Sequence, residues 1–148
     1  MAYQAKRKKS YEEEFQLTEE DGTVVHTLHV ALDADSMVRK LKEKHVALVR
    51  ALQSVQQIDA ASSASELTQG VEVLGNAVVD MLEAVFGVQD TRTIVEFYQE
   101  RYVEMCKEVV PFITDVVIPQ CGRIARENKK ELLSKYNRRQ RRNKLFER

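Results

Sequence analysis

The chain contains few of the residues that carry catalytic chemistry or cross-links. Its 148 residues include two cysteines, three histidines and no tryptophan. Cys106 and Cys121 are too few for a disulfide framework, and no histidine lies near them at the spacing of a zinc site. A free cysteine in a helix is usually a small buried apolar residue. The sequence therefore predicts a reduced protein whose cysteines take no part in chemistry.

Glycine and long apolar runs are also scarce. The five glycines are scattered, so the chain has no phosphate-binding loop, and no serine lies in a nucleophile elbow. His26 and His29 would lie on opposite faces of a strand, where they cannot share a metal ion. The sequence shows no secretory signal and no apolar stretch of roughly 18 residues. We therefore expect a cytoplasmic protein that is not an enzyme, binds no cofactor and does not enter a membrane.

Charge is distributed unevenly, although the formal net charge is zero. Residues 1 to 122 hold 12 Lys and Arg against 20 Asp and Glu, a net charge of −8. Residues 123 to 148 hold 11 against 3, a net charge of +8. An acidic body is thus followed by a basic tail, which suits binding to nucleic acid, to an acidic protein surface or to the body itself.

The fold is predicted to be mainly α, of the α+β class, with an N-terminal β-hairpin followed by a bundle of about four helices. Residues 1–10 are expected to form a flexible basic arm, residues 11–134 one domain and residues 135–148 a basic tail. Asp21-Gly22 is a strong turn signal for the hairpin. Period-two alternation places one set of residues on the inner face of the second strand: Val24, His26, Leu28, Val30 and Leu32.

The first two helices are separated by a polar linker over residues 59–65. The first helix is expected to start at a cap, Asp35 or Ser36, and to run to about Ile58. The second is expected to end at Gly87 in a left-handed C-cap. Its inner face is predicted from helical spacing to hold Leu67, Val71, Leu74, Val78, Met81, Leu82 and Val85.

Two further helices complete the predicted bundle. A cap at Asp90 or Thr91 starts the third, and Pro111 suits the first turn of the fourth. Pro119 is expected to kink or end that helix, because its ring clashes with a preceding carbonyl. The inner face of the third helix is predicted to hold Ile94, Tyr98, Tyr102, Met105 and Val109.

The first helix carries an apolar seam with heptad spacing, which is expected to face a partner helix. A histidine fills one gap in the seam, where it can fix register, sense pH, or simply lie hydrogen-bonded or at an edge. We predict self-association through this seam. Its members are candidate partner-binding residues: Val38, Leu41, His45, Leu48, Leu52 and Val55.

Glutamates recur every four residues on the predicted third helix. On a continuous helix they form an acidic ridge, at a repulsive cost of roughly 0.2 to 0.5 kcal/mol per pair. The ridge is interpreted either as a solubilising surface or as a docking strip for a basic segment. It comprises Glu96, Glu100, Glu104 and Glu108.

The tail holds six cations in the ten residues from Lys135 to Lys144. Its composition resembles an arginine-rich RNA-binding arm, although only one aromatic residue is placed among the cations to stack on bases. Because the apolar period lapses here, we expect a segment that is mobile or weakly helical in isolation and that docks electrostatically on the acidic ridge of the same molecule or of a neighbour in an oligomer. The candidate binding residues are Arg138, Arg139, Arg141 and Arg142.

The order of the predicted elements resembles that of the tail assembly chaperones of long-tailed (siphovirus-type) bacteriophages and prophages. The resemblance covers residues 11–118: a short hairpin, a helix, a polar linker, the apolar segment from Asn76 to Gly87, and two further helices. A hydrophobic helix that ends in Leu-Gly or Phe-Gly and resumes at an acidic cap recurs in that family. The basic tail matches no motif of the family.

The resemblance implies a non-catalytic function in the host cytoplasm. Such chaperones bind the long, aggregation-prone tape measure protein before the tail tube polymerises, self-associate, and are absent from the mature virion. In many such phages a programmed frameshift adds a domain that engages the tail tube protein, a further expected partner. An alternative is a small nucleic-acid-binding protein that uses the arginine-rich tail, and a third is a homo-oligomeric structural component of a virion.

Overall fold

The computed structural model describes residues 1–7, 10–58 and 61–146, with side chains up to Arg142. Within these residues the chain is mostly helical and begins with a two-stranded antiparallel sheet. The sheet consists of β1 (Tyr11–Thr18) and β2 (Val24–Leu32). Three helices follow: α1 (Ala34–Gln56), α2 (Ala64–Phe97), and α3, which joins the pieces Tyr102–Glu108, Phe112–Val117 and Ile118–Phe146. The predicted fold class is confirmed, and the expected number of about four helices is slightly too high.

The hairpin lies where the sequence predicts it. Gly22 in the turn has a φ of 89°, a conformation that glycine adopts without strain. The register shifts beside the turn, so Val25 is an extra residue on β2. His26 is exposed, although its ring centroid lies 6.3 Å from that of Phe97, edge to face. Because of the shift in register, the predicted inner face is wrong for Val24, which is exposed. It is confirmed for Leu28, Val30 and Leu32, which are buried.

The start of α1 is fixed by Asp33. This residue has an extended backbone, and its carboxylate accepts the backbone N–H of Ser36 at 3.2 Å. An N-cap of this kind satisfies one of the N–H groups that lack a partner within the helix. The predicted cap at Asp35 or Ser36 is therefore wrong, because both residues already lie inside the helix.

Helix α2 begins earlier than expected and bends at Gly87. Ser63 accepts a first-turn N–H at 3.2 Å, so the helix starts within the linker predicted over residues 59–65, whose first two residues lie outside the described part of the chain. Gly87 adopts a φ of 81° and a ψ of 171°, which other residues take only under strain. The helix resumes directly after it. The predicted cap at Asp90 or Thr91 is thus wrong, because both residues lie inside α2.

The chain turns between α2 and α3 through a Schellman motif that lacks the usual glycine. Gln99 and Glu100 have φ values of 54° and 61°. The N–H of Glu100 donates to the carbonyl of Val95, and the N–H of Gln99 donates to that of Glu96, each at 3.1 Å. The predicted third helix is therefore interrupted, because α2 ends before this turn and α3 begins after it.

Neither proline ends α3. The piece Phe112–Val117 is a π-helical turn, in which an N–H donates to the carbonyl five residues back. In a regular α-helix the ring of Pro119 would clash with the carbonyl of Asp115. The wider π-turn lies directly before Pro119 and relieves this clash. Pro111 lies in the first turn of the helical piece that follows the turn at Val109, as predicted. The predicted end at Pro119 is wrong, since α3 continues through it.

The hairpin closes over the helices through three phenylalanine rings. The ring centroid of Phe15 in β1 lies 5.3 Å from that of Phe86 in α2 and 4.8 Å from that of Phe112 in α3. Helix α1 packs against both α2 and α3. Each helix contributes fully buried side chains to the core between them, among them Leu41, Ile94, Met105 and Ile113.

Candidate partner-binding surfaces

The described residues hold no group of three or more His, Cys, Asp or Glu side chains placed to bind a metal ion. His29 Nδ1 lies 3.8 Å from Glu14 Oε1 across the hairpin, whereas His26 is exposed. Burial raises the pKa of the Cys106 and Cys121 thiols, which keeps them protonated and weakly nucleophilic. None of the described helices combines the length and apolar character needed to cross a membrane.

The predicted seam of α1 lies inside the protein. Leu41 and Leu48 are 0% and 2% exposed, because α2 and α3 pack against α1. The partner helix that the seam requires is thus part of the same chain. The prediction of self-association through the seam is wrong for these two leucines, which a second molecule cannot reach. The other seam residues are partly buried: Val38, His45, Leu52 and Val55.

The predicted acidic ridge does not lie along one helix. Glu96 is on α2, Glu100 is in the left-handed turn, and Glu104 and Glu108 are on α3. The last two instead line an open cleft of about 970 Å³ together with the acidic turn of the hairpin. We call this surface the acidic cleft, after its carboxylates: Glu19, Glu20, Asp21, Glu104 and Glu108.

Aromatic rings and one arginine complete the acidic cleft. Phe97 and Tyr98 meet edge to face, with ring centroids 5.1 Å apart. Arg101 Nη1 lies 3.6 Å from Glu104 Oε2. Burial, and then the negative charges of Glu108 and Glu104, raise the pKa of Tyr98. Carboxylates beside aromatic faces suit lysine and especially arginine side chains, which pair with the first and stack on the second.

The basic tail continues α3 as a helix. Residues 129–142 are exposed throughout, and the helix is assigned as far as Phe146. In the folded chain the tail is helical, and the expectation that it is mobile or weakly helical in isolation stays a prediction. We call residues 135–142 the basic end. Its cations include all four candidate arginines: Arg138, Arg139, Arg141 and Arg142.

The N-terminal arm lies beside α3. Residues 1–7 have no regular secondary structure, and Arg7 lines an open cleft of about 990 Å³ with Asp35 and Lys135. Charges of both signs meet in this cleft, whereas in the acidic cleft Arg101 is the one cation among the lining residues. Lys8 and Lys9, which complete the predicted basic run, lie outside the described residues.

Exposed apolar side chains that the sequence does not reveal lie on the second half of α1 and on the first turns of α2. Val46 and Val49 of α1 are 46% and 38% exposed, and Leu67 and Val71 of α2 are 46% and 49% exposed. We call these four residues the apolar end. The predicted inward orientation of Leu67 and Val71 is wrong, because the first turns of α2 extend past the core. Helical spacing alone does not distinguish a covered stripe from an uncovered one.

Comparison of the chain with protein-family models, curated proteins and solved structures gives no match. No family is assigned. The function is therefore argued from the apolar end, the acidic cleft and the basic end, beside the resemblance that the element order carries.

Proposed function

We propose that this protein is a non-catalytic tail assembly chaperone of a long-tailed bacteriophage or prophage, which binds the tape measure protein during tail morphogenesis. The observation that supports this most strongly is the apolar end. Its four aliphatic side chains are each more than a third exposed, although the core beneath them is already filled. Apolar side chains left uncovered in this way are typical of a surface that binds another protein.

The apolar end suits an amphipathic helix as its partner. Consecutive packed helices joined by a short loop run antiparallel, so the last half of α1 and the first turns of α2 lie side by side. A third helix can lay its apolar stripe against such a pair. Covering a half-exposed Val or Leu contributes about 1 kcal/mol. A contact of this size is reversible. This suits a chaperone that acts in the host cytoplasm and is released before the virion matures.

Co-expression with the tape measure protein of the same genome tests the proposal. The wild-type chain is expected to keep that protein soluble and to co-purify with it. The double variant Leu67→Asp/Val71→Asp is expected to lose both effects, because charges replace the apolar contacts. The matched control, Gln53→Asp/Gln69→Asp, places the same charges at exposed polar positions of the same two helices.

Two results would oppose the proposal. One is a wild-type chain that does not bind the tape measure protein, and the other is a double variant that binds as well as the control. Circular dichroism on both variants shows whether each remains folded. Adding the tail tube protein to the same co-expression tests whether it is a second partner.

Binding of nucleic acid is the second candidate function, and the exposure of the four arginines on the basic end favours it. The two functions differ in salt dependence. Nucleic-acid affinity falls log-linearly with salt, with a slope of about −0.9 per neutralised phosphate on duplex DNA. Capture of an apolar helix weakens little with salt. A steep slope that disappears in Arg138→Gln/Arg141→Gln would favour the nucleic-acid function.

A further inference from the structure

The acidic cleft and the basic end lie at opposite ends of α3. Glu104 and Glu108 belong to its first piece, Tyr102–Glu108, whereas the basic end begins at Lys135. At about 1.5 Å per residue, about 40 Å of helix separates Glu108 from Lys135. The one helix thus carries surfaces of opposite charge at its two ends.

The two ends of the hairpin lie beside different parts of α3, and their positions also separate the acidic cleft from the basic end. Helix α3 passes the open end of the hairpin, where Asn128 Nδ2 donates to Asp35 Oδ2 at 3.3 Å. The acidic turn from Glu19 to Asp21 lies at the other end of β1, about 25 Å away at the rise of an extended strand. The basic end therefore continues away from the acidic cleft. It cannot reach the cleft of its own molecule unless α3 breaks.

The two surfaces are complementary in charge. The basic end holds five cations and no acidic residue. The acidic cleft holds five carboxylates, offset by Arg101 alone. Apolar surface is also exposed within the basic end and just before it, since Tyr136 is 57% and Leu132 68% exposed. This helix face therefore has both charge and apolar area available for a partner.

We propose that the basic end of one molecule docks into the acidic cleft of a second copy, so that the protein assembles head to tail. The contact uses different surfaces on the two copies, which leaves one cleft and one basic end free in every dimer. Repetition of such a contact gives open chains, or a ring where the rotation between copies closes. The proposal does not rest on the tape measure function, because it uses neither Leu67 nor Val71.

The assembly is electrostatic in origin and therefore sensitive to salt. Exposed ion pairs contribute only about 0 to 1 kcal/mol each, so several are needed to hold two copies together. Stacking of an arginine on Tyr98 adds to them. Charges separated by more than a Debye length are largely screened in salt. We expect oligomers at low salt and micromolar protein, and monomers at high salt.

Two neutralised variants test the proposal by sedimentation velocity after nuclease treatment. The basic-end variant carries Arg138→Gln, Arg139→Gln, Arg141→Gln and Arg142→Gln. The cleft variant carries Glu19→Gln, Glu20→Gln, Glu104→Gln and Glu108→Gln. The wild type is expected to form species larger than 17.1 kDa in about 0.05 M salt and to dissociate in about 0.5 M salt. Each variant alone is expected to be monomeric.

Mixing the two variants gives the sharpest result. The basic-end variant retains an intact cleft and the cleft variant retains an intact basic end, so the mixture can form one contact per pair. We expect a 1:1 heterodimer and no larger species. The matched control removes four exposed acidic charges elsewhere, through Glu43→Gln, Glu72→Gln, Asp80→Asn and Glu83→Gln, and is expected to assemble like the wild type.

Several outcomes would overturn head-to-tail docking. They are a monomeric wild type at low salt, a cleft variant that assembles normally, and a mixture that stays monomeric. A nuclease-treated wild type that is monomeric until duplex DNA or RNA is added would instead show that the basic end binds nucleic acid. A failure of tape measure capture would leave these results unaffected, so the two proposals fail separately.

Discussion

The two halves of α3 share one helical backbone but differ in what surrounds them. The first half has buried side chains at a regular spacing of four, whereas the stretch from residue 129 to residue 142 is exposed throughout. Isolated helices are marginal in water, and most helices in proteins are stabilised by tertiary packing. The first half is therefore part of the fold, and the second is a helix available for binding. Those regularly spaced residues are Met105, Val109, Ile113, Val117 and Cys121, and Val110 is buried as well.

We call the exposed residues 129–142 of α3 the extension, and the packed remainder of the fold the body. The largest expected difference between the two is the effect of removing a leucine side chain. Leu41 in the body is 0% exposed, and Leu132 in the extension is 68% exposed. Leu41→Ala is expected to lower the free energy of unfolding by about 2 to 5 kcal/mol, because it leaves a cavity. Leu132→Ala is expected to change it by less than about 0.5 kcal/mol. Urea denaturation of both variants measures the difference, and equal losses would show that Leu132 packs like a core residue.

Glycine substitutions provide the second contrast. Gly87 has a φ of 81°, so Gly87→Ala is expected to cost about 1 to 3 kcal/mol of strain, although the added Cβ has nothing within 4 Å. Gly122 lies within the regular part of α3, where a Cβ would meet only Arg126 Nη1 at 3.7 Å. Gly122→Ala is expected to stabilise the protein by up to about 1 kcal/mol. Thermal unfolding should show a lower melting temperature for Gly87→Ala and a higher one for Gly122→Ala. An unchanged melting temperature for Gly87→Ala would show that the bend does not require glycine.

Removal of the basic tail is expected to change the free energy of unfolding less than these substitutions do. Deletion of residues 135–148 takes away no buried side chain from the described residues. We expect the free energy of unfolding to change by less than about 0.5 kcal/mol, while assembly at low salt is lost. A large fall in melting temperature would show that the basic end packs on the body.

The sequence predicts the elements whose ends have a local chemical cause. The turn at Asp21-Gly22, the bend at Gly87 and the alternation of Leu28, Val30 and Leu32 follow from glycine conformation and strand periodicity. Such signals depend only on neighbouring residues. They account for the hairpin, for α1 within a few residues at each end, and for the break in regular helix at Gly87, although α2 continues past it to Phe97.

The sequence does not predict features that tertiary packing imposes. Gln99 and Glu100 adopt left-handed backbone without glycine, and nothing in their identity indicates a helix end. Pro119 marks a helix end in isolation, but a π-turn accommodates it. The acidic cleft could not be predicted either, because tertiary packing brings its residues together. It forms because the unmarked turn at Gln99 brings Glu104 beside the hairpin.

The smallest expected effect concerns Tyr11, at the boundary between the body and the extension. Burial, and then Glu13, which accepts the Tyr11 hydroxyl at 3.2 Å, raise the pKa of Tyr11 to about 12. In the unfolded chain a tyrosine ionises near its usual pKa of about 10. Above that pH the unfolded state loses a proton that the folded state keeps, so the stability that Tyr11 contributes falls between about pH 10 and about pH 12.

Replacement of Tyr11 by phenylalanine removes this contribution. We expect the wild type to lose more free energy of unfolding than Tyr11→Phe when the pH rises from about 9 to about 11, and the difference to be small because Tyr11 is only partly buried. Tyr136→Phe in the basic end is the matched control, since that ring is 57% exposed, and it is expected to follow the wild type. If Tyr11→Phe shows the same pH dependence of the free energy of unfolding as the wild type, the Tyr11 hydroxyl is not shielded from water in the folded protein. The contact between the start of β1 and α3 would then leave this hydroxyl exposed.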